Sequence, residues 1–425
     1  MTDRGGLPLN APLPELTRRS LLAGAGGVAL SPAILKAAPL GSRAHVAVVG
    51  AGVFGAWTAH YLLSLGHSVT LIDAHGPAHS RASSGGESRM TRAAYGGDEL
   101  YARMAHDSLT AWKALSTVSG LPIFHETGVL FFAAGEEPYI ARAITTGRKL
   151  GFPTVAMNRA QMAHRFPMID FTGVDIGVYE PTFGALMARR SVQTLVERFV
   201  RAGGEYRTLA IAPPTSNAGT FSHIYSVAGA GVDADAFVFA LGPWLGKLFP
   251  DLVANRIFAT RQEVFFFAPP AGGLIFQPGW MPGWADFNGG DLYYGFPDLE
   301  ARGVKFARDT HGPLVDPDTQ SRRFSDEALA AVISFRDRRF PLLRGAPLTE
   351  ARVCQYENSS NGDFLIDRHP DHANVILVGG GSGHGFKHGP EVGRLAAALV
   401  SGTAPQTQPR FTLATKAVTQ KREVH

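Results

Sequence analysis

The stretch that most constrains the fold runs from His45 to Asp73, HVAVVGAGVFGAWTAHYLLSLGHSVTLID. Val46, Ala47, Val48 and Val49 form an apolar run too short for a helix and β-branched enough for a buried parallel strand. Gly50, Gly52 and Gly55 follow at the G-x-G-x-x-G spacing. In a strand-to-helix turn the first glycine permits the tight bend, the second lets backbone approach a pyrophosphate, and the third lets the helix pack on the strand. Ala56 to Leu65 reads as that helix, with its N-terminal amides turned to the phosphates; Gly66 ends it and Ser68 to Ile72 reads as the next strand. Asp73 stands about 20 residues after the glycines, where an acid hydrogen-bonds a ribose hydroxyl. Strand, glycines, helix, strand and acid arrive in order. The segment reads as a dinucleotide site, with Gly50, Gly52, Val53, Phe54, Gly55 and Asp73 at the ligand.

A chain of 425 residues is long enough for two domains around large cores. Its net charge of +4 comes without a basic block, which argues against a nucleic-acid partner. Cys354 is the sole cysteine, so no intrachain disulfide and no cysteine zinc cluster can form. His75 with His79 and His384 with His388 stand four apart, but in segments broken by glycine or proline and without the H-E-x-x-H glutamate. No metal site is expected.

Residues 1–43 do not read as fold. Thr17-Arg18-Arg19-Ser20-Leu21-Leu22 carries paired arginines ahead of a weakly apolar run to Leu35, interrupted by Pro32. That run is too short and too poor in bulky side chains for a membrane span. The pattern resembles a twin-arginine export signal, read by the export machinery for folded proteins. Because dinucleotide binding is linked to folding, a cofactor loaded inside the cell must travel with the folded protein. The expected location is the periplasm.

Downstream, Ser83 to Gly96 (SSGGESRMTRAAYG) reads as a polar loop passing the crevice at the carboxyl ends of the strands. Arg89 and Arg92 can each meet an anion there. Glu99 to Leu115 reads as a helix and Phe124 to Ala133 as a strand, together opening a second domain. Ala185 to Ala202 reads as a helix returning to the first domain, and Ala236 to Trp244 as a buried strand ending in a glycine turn. Glu263 to Ala268 and Leu292 to Phe296 read as strands of the second domain. Near the end, the strand Val375 to Val378 runs into a loop holding Gly379, Gly380, Gly381, Gly383 and Gly385, and then a helix from about Pro390 to Leu399. So many glycines between a buried strand and a helix point to a ligand cradle.

Several of these segments coincide with one known pattern. GAGVFG, Asp73, the SSGGESRMTRAAYG loop, C-x-Y at Cys354 to Tyr356, D-F-x-I-D-x-H-P from Asp363 and G-x-S-G-H-G-F-K ending at Lys387 stand in order. The chain from His45 to about Thr403 resembles the monomeric sarcosine oxidase and N-methyltryptophan oxidase family of amine-oxidising flavoproteins. The resemblance implies FAD as the dinucleotide. It places Arg92 and Lys387 on a substrate carboxylate, Arg89 close to the flavin, and Tyr294 and Tyr356 at the substrate cavity. Lys305 falls on the family's oxygen-activating lysine, and Cys354 on the cysteine that joins the flavin covalently. Ser84, Gly381, Gly383 and Gly385 complete the implied cofactor contacts. Asp309 and Gly85 replace histidines common in the family, which alters the charge and size of the cavity.

The expected fold is α/β: a Rossmann-like FAD-binding domain beside an α+β substrate domain with a mainly antiparallel sheet. Residues 44–96, 185–255 and 346–403 would form the first, 97–184 and 256–345 the second, and 404–425 a tail. The implied reaction oxidises a secondary or N-alkylated amino acid to an imine that hydrolyses, with oxygen reduced to hydrogen peroxide. A dehydrogenase of the same fold feeding a quinone or a protein, and a primary-amine or D-amino-acid oxidase, are the alternatives. A flavoprotein that binds without catalysing is a third.

Overall fold

His45–Val49 lies inside a six-stranded sheet, between Ser68–Asp73 and Ala236–Phe239 and parallel to both. The sheet continues through Glu205–Thr208 on one side and Val375–Gly379 on the other, both parallel, and ends at the antiparallel strand Leu365–Arg368. Val46, Ala47 and Val48 are fully buried because both faces are covered, which is why these strands read as unbroken apolar runs. One face packs against the helices Val53–Ser64, Ala188–Arg201 and Gly389–Val400, with Trp57 and Trp112 at the centre. Gly393 lets two of these helices approach: a Cβ there would stand 2.6 Å from Trp57. The other face carries Phe237, Phe239, Leu245 and Phe249.

A computed structural model gives this architecture and describes residues 43–419 except 136, 215–218, 288–291, 311, 405, 406 and 418. The expected export segment with Arg18 and Arg19 lies outside the described residues. Among the described residues no helix is long and apolar enough to cross a membrane.

The second sheet has eight strands. From Leu348–Ser359 it runs through Ile257–Phe267, Val304–Arg308, Tyr293–Phe296 and Gly283–Asp286 to Val129–Ala133, Ile176–Glu180 and Val155–Asn158. All pairings are antiparallel except that of Gly283–Asp286 with Val129–Ala133. Helix Asp326–Arg339 packs on it through Phe335, stacked on Tyr293 at 4.0 Å between ring centres. The α/β class with a mainly antiparallel second sheet is therefore as expected.

Four local expectations change. The helix expected at Glu99 to Leu115 to open the second domain runs Glu99–Ser119, and Tyr101, Met104, Trp112 and Leu115 bury it in the core of the cofactor domain. Leu348–Ser359 falls within the cofactor domain's expected bounds, yet it pairs along the whole of Ile257–Phe267 in the eight-stranded sheet. The helix carries an apolar face suited to either neighbour and the strand, LTEARVCQYENS, is mostly polar and marks no particular sheet, so only tertiary packing decides. The run from Phe124 breaks at Gly128, whose φ of +71° cannot continue a strand. The expected loop contains a strand, Ser88–Thr91, paired antiparallel with Gly184–Met187, the segment where the helix to Ala202 was expected to begin. Beyond helix Gly389–Val400, Arg410 joins Asp98 and Asp363, each at 2.7 Å, so this part of the tail is docked on the cofactor domain.

Candidate active site

The fingerprint glycines divide their work. Gly50 has φ +108° and a Cβ would stand 2.2 Å from the Ala240 carbonyl oxygen, so only glycine fits the turn. At Gly55 a Cβ would stand 1.8 Å from the carbonyl oxygen of Gly50. Gly52 is different. The nearest protein atom to its missing Cβ is Ser84 Oγ at 3.6 Å, so the protein leaves this space open toward a ligand. The Val53 amide donates to Ser84 Oγ at 3.1 Å, fixing the start of the helix. Asp73 accepts from the amides of Ala51 (2.8 Å), His75 (2.9 Å) and Gly76 (3.0 Å), which locks its carboxylate at the strand end.

These residues open onto a cavity of about 440 Å³, lined also by Phe54, Arg89, Tyr356, Gly381, Gly383 and Gly385. Glu357 lines it too, buried and with Oε1 lacking a hydrogen-bond partner among the described residues. The open side of Gly52, the anchored Asp73 and the unmatched acid together fit FAD, which brings phosphates, ribose hydroxyls and ring donors to the same cavity.

A smaller cavity of about 30 Å³ adjoins it, with Arg89 and Tyr356 in both walls. Lys305, Tyr294 and Cys354 line this second space. Nζ of Lys305 donates to the Ser88 carbonyl at 3.0 Å and lies 5.2 Å from the Phe296 ring and 5.6 Å from the Tyr294 ring. Burial, helped by the charge of Arg89, pushes the Lys305 pKa down to about 7. Tyr294 is pushed up to about 12, chiefly by burial, and its hydroxyl lies 3.5 Å from that of Tyr356. Arg89 donates to the Ser83 carbonyl at 2.7 Å and reaches Cys354 Sγ at 3.6 Å. The Cys354 thiol is half-buried.

Arg92 and Lys387 line neither cavity but meet on one aromatic ring. The guanidinium carbon of Arg92 lies 4.2 Å from the centre of Tyr95, and Lys387 Nζ lies 5.0 Å from the same centre. Both cations are 4% exposed. Arg92 also donates to the Ala94 carbonyl, and Lys387 Nζ donates to the His384 carbonyl at 2.8 Å. The Tyr95 hydroxyl bonds His388 Nε2 at 2.6 Å and His384 Nδ1 at 3.1 Å. Beneath the arginine loop, the carboxylate of Glu180 accepts from the Ala93 and Ala94 amides at 3.2 Å. Burial pushes its pKa up to about 7 against the pull of these amides and of Arg92.

The sequence reading missed Tyr95, Glu180 and Glu357. Tyr95 stood within the arginine loop, and the four-residue spacing of His384 and His388 was a signal read only for metal. Both histidines instead hold the Tyr95 hydroxyl. Glu180 and Glu357 left no pattern, since their importance comes from burial.

Solved structures share the fold. A thermally stable mutant of fructosyl peptide oxidase superposes with a TM-score of 0.76 at 19% identity, covering 88% of this chain and 94% of that one. L-proline dehydrogenase from P. horikoshii gives 0.75 at 19% identity, covering 88% and 98%. By sequence, the N-methyl-L-tryptophan oxidase of Citrobacter koseri is 29% identical over 368 residues, 84% of this chain and 95% of that protein. The monomeric sarcosine oxidase of Bacillus sp. is 29% identical over 367 residues, 83% and 91% of the two chains. The family model described as FAD dependent oxidoreductase, DAO, matches residues 45–399. With the fingerprint, its cavity and most of the chain inside that match, the protein belongs to the DAO family of FAD-dependent oxidoreductases.

Proposed function

We propose that the protein oxidises the C–N bond of a secondary or N-alkylated amino acid, releasing an imine that water hydrolyses. One observation carries this reading: two buried cations, Arg92 and Lys387, share the ring of Tyr95. A pair of this kind suits a carboxylate, and the relatives named N-methyl-L-tryptophan oxidase and monomeric sarcosine oxidase point to an amino acid of this class. Each charge pair near 4 Å contributes up to about 4 kcal/mol before desolvation is subtracted.

Bound FAD supplies the two-electron oxidising power. Gly52, Ser84, Asp73 and the loop at Gly381 to Gly385 hold it, and Cys354 is its covalent attachment point. Arg92 and Lys387 hold the carboxylate, while Tyr294 and Tyr356 border the amine. Lys305 serves the oxygen half of the cycle: its ammonium meets negative charge as oxygen is reduced to hydrogen peroxide. Its lowered pKa also makes it able to give up a proton near neutrality.

The test is anaerobic bleaching of the flavin by a panel of N-methyl and cyclic amino acids, followed by peroxide measurement after oxygen is admitted. Bleaching with primary amines alone would sink the substrate assignment, and bleaching without peroxide would make the protein a dehydrogenase. In the same preparation, flavin that stays with acid-precipitated polypeptide supports Cys354 attachment; complete release refutes it. We further propose twin-arginine export to the periplasm, on the strength of Arg18 and Arg19. Replacing both by lysine should retain the protein in the cytoplasm, and undiminished export would count against the route.

A further inference from the structure

Glu357 has no part in the chemistry above, yet it faces the cofactor cavity. It follows Tyr356 on Leu348–Ser359 and lines the cavity beside Gly381 and Gly383. The residue is 6% exposed. Its Oε2 lies 3.5 Å from the amide of Gly381, whereas Oε1 has no hydrogen-bond partner among the described residues. On the strand side the space is closed. A Cβ on Gly379 would stand 2.3 Å from Oε1 and 2.9 Å from Leu245, so glycine at 379 is what admits the carboxyl at all.

The elements packed against Glu357 bring no opposing charge. Ala259 is its cross-strand partner, Leu245 packs beside Gly379, and the glycine loop offers only the Gly380 and Gly381 amides. Burial outweighs those amides and pushes the carboxyl up to about 7. A buried acceptor without a donor is costly in a folded protein, and in a ligand cavity the ligand is the natural source of the donor.

We propose that Glu357 is a flavin-facing residue, its Oε1 accepting a hydrogen bond from a ribityl hydroxyl or ring N–H of the flavin half of FAD. Of the other two acids lining the cavity, Asp73 sits on the fingerprint and suits the adenosine ribose, and Asp318 is already held by Trp244 and Lys247. Glu357 instead shares its strand with Tyr356 and Cys354, beside the small cavity of Lys305. This inference rests on the family's cofactor and is independent of the amine proposed above. Below neutrality Glu357 is an uncharged acid; above it, a carboxylate that opposes electron gain by the ring beside it.

The test uses the holoenzyme, anaerobically, in equilibrium with a redox dye at about pH 6 and about pH 8. Glu357→Gln should match the wild type at the lower pH. At the higher pH its ratio of reduced to oxidised flavin should be about tenfold greater. Identical ratios at both pH values, with an unchanged visible spectrum, would overturn the proposal. Loss of FAD from a Gln variant with unchanged far-ultraviolet circular dichroism would also support the contact. Should the Gln variant not fold, Glu357→Asp, which withdraws the acid by one methylene, decides: a reduced pH effect supports the contact and a full wild-type effect overturns it. A protein that no amine bleaches but that shows the pH difference would sink the amine reading and keep this role for Glu357.

Discussion

Around the large cavity the chain offers mainly backbone: glycines at 50, 52, 381, 383 and 385, the amides that hold Asp73, and the start of a helix. Around Tyr95 and Lys305 it offers charged side chains held on aromatic rings and carbonyls. In the first arrangement Gly50 and Gly383 need positive φ and Gly385 a close approach, so a side chain there is strained, while Gly52 and Gly381 leave room toward a ligand. The second needs positions assembled from distant parts of the chain. Arg92 and Lys387 are nearly 300 residues apart in sequence and meet only because Ser88–Thr91 and the last glycine loop converge on Tyr95. Damage to the backbone-built half should therefore abolish the site outright. Damage to the half built from side chains should weaken one function at a time.

The sharpest break is Gly55→Val. With a Cβ already 1.8 Å from the Gly50 carbonyl oxygen, the helix must move away from the strand. A destabilisation on the order of 4 kcal/mol and loss of FAD are expected, read by thermal unfolding and flavin absorbance. Retained flavin with an unchanged melting temperature would mean that the close approach is not required.

Next come the two cations on Tyr95. Arg92→Met and Lys387→Met should each lower kcat/KM about a hundredfold, or ~3 kcal/mol, while leaving bound flavin intact. If either loses its flavin instead, the division between the two halves fails at that residue.

Lys305→Met should leave anaerobic reduction by substrate near the wild-type rate and slow reoxidation by oxygen about thirtyfold, or ~2 kcal/mol. The pH dependence has a definite sign. With its pKa lowered to about 7, Lys305 is charged below that value and neutral above it. Reoxidation in the wild type should fall as pH rises through neutrality, and the Met variant should show no such fall. Stopped-flow traces of the separate half-reactions decide; a slowed reduction with normal reoxidation would remove Lys305 from oxygen chemistry.

The smallest effect is expected from Tyr95→Phe, which keeps the ring beneath both cations but deletes the hydroxyl bonded to His384 and His388. A rise of about fivefold in KM, ~1 kcal/mol, with kcat little changed would mark Tyr95 as a positioning residue. Tyr95→Leu, which also removes the ring, should cost more. Equal losses in both variants would assign the effect to the hydroxyl alone.

The same contrast explains what was legible beforehand. The cofactor cleft could be read residue by residue, because Gly50, Gly55 and Asp73 act through local geometry within one β-α-β unit. Cys354, Lys305 and Lys387 entered through resemblance, since a lone lysine or cysteine carries no periodic signal. Tyr95, Glu180 and Glu357 were not legible: a tyrosine in a polar loop and two glutamates in strands look ordinary until burial fixes their partners. The domain to which Glu99–Ser119 and Leu348–Ser359 belong was hidden for a related reason: an apolar helix face specifies that it will be covered and not by what, and a mostly polar strand carries no mark of the sheet it joins.

By itself, then, the sequence determined the parallel sheet around His45–Val49, the dinucleotide turn and the existence of a glycine cradle after Val375–Gly379. These rest on steric limits at single residues and on short-range hydrophobic pattern. The tertiary structure alone decided which ring the two cations share, which sheet receives Cys354, and that the acid at 357 faces the cofactor cavity with one oxygen unmatched. Electrostatic environment is set by what lies within a few ångströms in space, and in this fold those neighbours come from hundreds of residues away along the chain.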